Sequence, residues 1–115
     1  MTGAGISASV EATGLIRRAQ ADGDFATVLR KGDPERGSLL LVVGSRGRHC
    51  AVLERTFDFE SGEYRWTRAG PGPDESGEKL ADFLGNRVRF DHDLWLIELD
   101  VAHPERFIAE TTLSG

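Results

Sequence analysis

Phe90-Asp91-His92-Asp93-Leu94-Trp95-Leu96-Ile97-Glu98-Leu99-Asp100 is the stretch that sets the fold, because an acidic turn runs straight into a dense apolar segment. Leu94 to Asp100 reads as a buried strand and the acids as its entrance. In extended backbone Asp91 and Asp93 share one face, and two desolvated carboxylates so placed shift one another's titration, which gives the group a catalytic flavour. The competing reading is local. Asp91 accepts the backbone N–H of residue 93 in an Asx turn that reverses the chain between a helix and a strand, and this is the preferred reading.

Upstream, Pro71, Gly72 and Pro73 break regular structure, and Asp74, Glu75 and Glu78 then load the start of a helix with acid while Arg87 and Arg89 follow its end, the polarity a helix dipole favours. Leu80, Phe83, Leu84 and Val88 form its apolar stripe. Four earlier segments read as strands: Phe25 to Arg30, Ser38 to Gly44, His49 to Phe57 and Glu63 to Arg68. The second, apolar on both faces, belongs mid-sheet. Asp33-Pro34 followed by Gly37 has type I turn chemistry and predicts a hairpin between the first two strands. Ala8, Ala12, Leu15, Ile16 and Ala19 mark one face of an N-terminal helix, and Pro104 to Ile108 is expected to form a short terminal turn.

These elements predict one α+β domain over residues 6–110, between a disordered start at 1–5 and a flexible end at 111–115. Its sheet is expected to be mainly antiparallel and five-stranded: a four-strand meander, a crossover helix, and a fifth strand at the first strand's side. Two helices cannot cover both faces of five strands, so a face bearing Arg55, Arg65 and Thr67, or an edge, is expected to stay open to partners.

A chain of 115 residues suits one modest core. Residues 1–72 carry 10 basic and 9 acidic side chains and residues 73–115 carry 4 and 10, for a net charge of −5, which argues against binding dominated by phosphate neutralisation. No apolar run approaches the roughly 20 residues of a membrane span, and the Gly-rich start lacks the pattern of a signal peptide. The single cysteine, Cys50, excludes an internal disulfide and predicts a cytoplasmic setting in which it serves as a small buried hydrophobe.

Several motifs fail on context. Thr2-Gly3-Ala4-Gly5-Ile6-Ser7 looks like the dinucleotide-binding opener of NAD-dependent protein deacylases, yet only Met1 precedes its glycines, where a presenting strand is required. Gly44-Ser45-Arg46-Gly47 matches a backbone-clamping G-x-x-G loop but lies between strands, not helices. His49, His92, His103 and Cys50 lack zinc-ligand spacing, and alternation sends His49 and Cys50 to opposite faces. No G-x-S-x-G nucleophile elbow occurs. Neither cofactor nor metal is therefore expected.

Arg30-x-Gly32-Asp33 with Gly37, Trp66-Thr67-Arg68, and Phe90-Asp91-x-Asp93-Leu94-Trp95 together resemble a family of short bacterial proteins of unknown function, found mainly in alphaproteobacteria, over roughly residues 7–101. The resemblance implies a small α+β domain of this length and carries over no catalytic roles. That family's pattern has proline where this chain has His92, which points away from proton transfer by the histidine.

Three functions fit these observations. The first is a non-catalytic interaction or regulatory module binding a protein partner or itself. The second is a small enzyme or ligand binder using Asp91 and Asp93 with Arg30 and Asp33, and Trp95 beside them. The third is RNA binding through Arg46, Arg48, Arg55, Arg65 and Arg68, with Tyr64 or Trp66 stacking bases; alternation puts those aromatics on the face opposite Arg65, so nucleic acid is the least favoured partner.

Overall fold

The computed structural model describes residues 7–113. Along the chain run α1 (Ala8–Ala21), β1 (Phe25–Arg30), β2 (Leu39–Ser45), β3 (Arg48–Asp58), β4 (Glu63–Ala69), α2 (Gly77–Phe90), β5 (Trp95–Asp100) and α3 (Pro104–Leu113). Ser7 caps α1 by accepting the Val10 N–H, and Ser76 caps α2 by accepting that of Lys79, which satisfies amide donors a helix start leaves without partners.

The expected hairpin between β1 and β2 is replaced by a different pairing. The strand order is β1-β5-β2-β3-β4, with β5 antiparallel to β1 and parallel to β2. The sheet is therefore mixed, the meander shrinks to β2-β3-β4, and the fifth strand is interior. Burial explains the exchange. Every β5 residue from Trp95 to Ile97 is buried, and a strand apolar on both faces belongs inside a sheet covered on both sides. β1 leaves Phe25, Val28 and Leu29 exposed, as an edge permits.

Three helices, not two, cover this sheet. On one face α1 and α3 pack Ala8, Ala12, Ala19 and Ile108 over Leu39, Leu41, Val43, Leu53, Trp95, Ile97 and Leu99. On the other, Leu80, Phe83, Leu84 and Val88 of α2 cover Leu40, Val52, Leu94 and Leu96. The alanines of α1 let that helix lie close to the strands. α3 extends the expected terminal turn to Leu113, so residues 111–113 are helical; the expected disorder at 1–5 falls outside the described residues.

The expectation of one open face bearing Arg55, Arg65 and Thr67 is also corrected. Arg55 pairs with Trp66, and Thr56 with Arg65, so Arg55 and Arg65 lie on opposite faces. Arg55 sits under α1, with its Nε 3.0 Å from Glu11 Oε1 and its guanidinium 3.9 Å from the Tyr64 ring centroid. Burial raises the Glu11 carboxyl above the ordinary carboxylate range, and the Arg55 charge opposes that rise in part. The sheet's two edges are β1 and β4, and β1 is the one that leaves aliphatic side chains, Val28 and Leu29, exposed beside Phe25.

Candidate functional site

Because β5 lies between β1 and β2, the connection from Lys31 to Ser38 has to cross the entrance of β5, and the five candidate residues converge there. Arg30, Asp33, Asp91, Asp93 and Trp95 form a clasp. The Asp33 N–H donates to Asp93 O at 3.0 Å, and the Trp95 N–H donates to Ser38 O at 2.8 Å. From its buried ring, Trp95 Nε1 donates to Asp33 O at 2.8 Å. Arg30 Nη2 donates to His92 O at 2.9 Å.

The carboxylates are engaged with backbone. Asp33 Oδ2 accepts the N–H groups of Glu35 and Arg36 at 3.1 and 2.7 Å, closing the turn read from Asp33-Pro34. Asp91 Oδ1 accepts the Asp93 N–H at 3.1 Å, the Asx turn read from the sequence. Asp93 contributes its carbonyl to the clasp, and its side chain is exposed. The same turn caps α1, since Pro34 O and Glu35 O accept the N–H groups of Ser9 and Ala8 at 2.8 and 3.3 Å. One loop thus ties α1, β1, β2 and β5 together. Gly32 and Gly37 make the close approach possible: a Cβ on either would lie 2.7 or 2.6 Å from Trp95 Cδ1. As an assembly, the clasp fixes backbone: the side chains of Arg30, Asp33, Asp91 and Trp95 all bond main-chain atoms.

Two features escaped the sequence reading. The first is an aromatic group at the β3–β4 hairpin, where the Phe57 ring lies 5.0 Å from Phe59 and 5.2 Å from Tyr64. The second is a cleft of about 950 Å³ at the opposite end of the sheet from the clasp, between α3 and the ends of β2, β3 and β4, lined by residues that include Arg46, Arg48, His49, Cys50 and Arg68. Alternation predicted His49 and Cys50 on opposite sides. A bulge overrides it: Val43 pairs with Ala51 and Gly44 with His49, leaving Cys50 as the extra residue, so both side chains line one cleft. Cys50, expected to be buried, is half-buried. The five arginines considered for RNA are dispersed, with Arg46, Arg48 and Arg68 at the cleft, Arg55 beneath α1, and Arg65 on Asp58 at 2.9 Å.

A family model described as a protein of unknown function, DUF1491, matches residues 6–109. The chain belongs to that family. Structures of DUF1491 proteins share the architecture. A crystal structure of a family member from Caulobacter crescentus CB15 is 28% identical, covers 84% of this chain and 88% of its own, and superposes with a TM-score of 0.73. An NMR structure of a DUF1491 protein from the same organism is 30% identical over 83% and 84% of the two chains, with a TM-score of 0.69. A solution structure of protein Atu0922 from A. tumefaciens is 28% identical over 84% and 86%, with a TM-score of 0.70. No curated protein matches the chain. Of the residues that carried the family resemblance in the sequence, Arg30, Gly32, Asp33, Gly37, Asp91, Asp93 and Trp95 lie in the clasp, whereas Trp66, Thr67 and Arg68 lie in β4, outside it. Among the described residues no helix is long and apolar enough to cross a membrane, and no group of three or more His, Cys, Asp or Glu side chains could hold a metal.

Proposed function

We propose that this DUF1491 protein is a non-catalytic protein-interaction module that docks a partner along β1. The carrying observation is the edge itself. β1 pairs with β5 on one side only, and Phe25, Val28 and Leu29 are 72%, 41% and 49% exposed. An unpaired edge with apolar side chains is a ready template for a strand from another chain, with main-chain hydrogen bonds supplying affinity and side-chain pockets supplying selectivity. The bulge between Val28 and Arg30 limits the template to its first residues and makes it selective in register. Its occupant is an extended, apolar segment of a protein partner, which includes a second copy of this chain. The lone cysteine supports a cytoplasmic setting.

Size-exclusion chromatography with light scattering, together with capture from native lysate, tests this reading on the wild type and on a Phe25→Asp/Leu29→Lys variant. Self-association or specific capture that disappears in the variant is the expected result. A strict monomer that captures nothing, or capture indifferent to these substitutions, refutes it.

A further inference from the structure

The cleft beside α3 has a chemistry the interaction reading does not use. It opens where β2 and β5, the parallel pair, present their carboxyl ends, and α3 begins immediately after β5 at Pro104. Ligands of open α/β sheets gather outside the carboxyl ends of parallel strands, where helix N-termini add positive potential. Here the potential is reinforced. Arg46, Arg48 and Arg68 line the cleft and are exposed, and the ion pairs among the described residues use other arginines. Asp74 and Glu105 also line it, so three guanidiniums face two carboxylates and the balance is cationic.

The hairpin is built to hold its arginines at that mouth. Arg46 and Gly47 both have positive φ, 53° and 81°, the primed turn that matches strand twist, and the Arg46 N–H donates to Asp100 Oδ1 at 3.1 Å. That bond fixes the β2–β3 turn to the end of β5. Inside, His49 Nε2 lies 2.8 Å from Pro71 O; a carbonyl only accepts, so Nε2 carries the proton. Nδ1 is buried without a hydrogen-bond partner among the described residues, and Ile108 supplies apolar lining to the same cleft.

We propose that this cleft binds a small organic phosphate, whose phosphate is held by Arg46, Arg48 and Arg68 and whose organic part lies along Ile108 toward His49. Guanidinium forks match phosphate oxygens in pairs, and about 950 Å³ falls within the roughly 300–1,000 Å³ of small-molecule sites.

Two-dimensional amide NMR of the full chain tests this by titration with pyrophosphate and with adenosine monophosphate at about 150 mM salt, where charges more than about 8 Å apart are screened. The expected result is saturable shifts confined to residues 45–50, 68 and 102–108, those near Ile108 moving with the nucleotide alone. Arg46→Gln/Arg68→Gln weakens both ligands at least about tenfold, as losing charge-assisted contacts predicts, without changing the melting temperature. Shifts that never saturate, that spread to Arg17, Arg18 and Arg89, or that persist in the double variant overturn the proposal. So does single-stranded RNA binding more tightly than either probe with a steep salt slope. The β1 variant leaves this titration unchanged, so the two readings fail separately.

Discussion

Replacing Trp95 with phenylalanine tests whether the clasp stabilises the fold through a named bond. Trp95 is 5% exposed, and its Nε1 donates to Asp33 O at 2.8 Å. Phenylalanine cannot donate, so the Asp33 carbonyl keeps only the 3.3 Å bond from the Gly37 N–H, and the lost bond costs about 0.5–1.5 kcal/mol. The smaller ring also forfeits roughly 40 Å² of buried apolar surface, worth about 1 kcal/mol at about 25 cal/mol per Å². Together these predict a loss of about 1.5–2.5 kcal/mol. Urea unfolding followed by far-ultraviolet circular dichroism measures it. The midpoint falls and the slope stays constant, because the surface exposed on unfolding hardly changes. Hydrogen exchange localises the effect, since the Asp33 and Trp95 amides, bonded to Asp93 O and Ser38 O, lose protection before the interior strands. A loss below about 0.5 kcal/mol, the range of ordinary surface substitutions, refutes the reasoning, as does unchanged protection at those two amides.

Other substitutions probe neighbouring parts of the same account. Asp91→Asn keeps an acceptor for the Asp93 N–H and costs at most a few tenths of a kcal/mol, whereas Asp91→Ala costs about 1 kcal/mol by urea unfolding; equal costs would mean that the carboxylate's charge matters and the turn does not. Gly37→Ala drives a Cβ to 2.6 Å from Trp95 Cδ1 and destabilises by about 1–3 kcal/mol through overpacking, with a neutral result showing that the loop can move aside. The raised Glu11 carboxyl gives a signed pH effect. Folded Glu11 holds its proton more tightly than unfolded Glu11, so its contribution to stability grows as pH falls through the raised folded value toward the ordinary carboxylate value. The stability of wild type minus that of Glu11→Gln therefore rises with acidification in thermal melts. Asp58, whose carboxyl is held low chiefly by the Glu60 N–H, loses its contribution as pH falls, and it cancels in this difference.

The element boundaries were legible because each has a local cause. Ser7 caps α1 with Ala8, Ala12 and Ala19 on the buried side as their spacing requires; β1 spans Phe25–Arg30 as read, and β2 and β3 fall within a residue of the reading. The turns at Asp33 and Asp91 were legible for the same reason: a short carboxylate reaches only nearby N–H groups. Strand order was not, since Asp33-Pro34 closes a turn equally well in a hairpin and in a loop that crosses a third strand. A signal was present all the same. Leu94 to Leu99 is far more apolar than Phe25 to Arg30, and the interior place in a covered sheet falls to the more apolar strand. The bulge at Cys50 left no local trace and hid the cleft, and the ion pair that places Arg55 beneath α1 depends on where a helix packs.

The central claim, that the clasp builds the fold while the β1 edge meets the partner, is tested most directly by capture from native lysate with two variants side by side. Phe25→Asp/Leu29→Lys alters the edge, and Asp91→Asn/Asp93→Asn removes both acids while keeping acceptors. Capture lost with the first and retained with the second is the predicted result; capture retained with the first and lost with the second contradicts it.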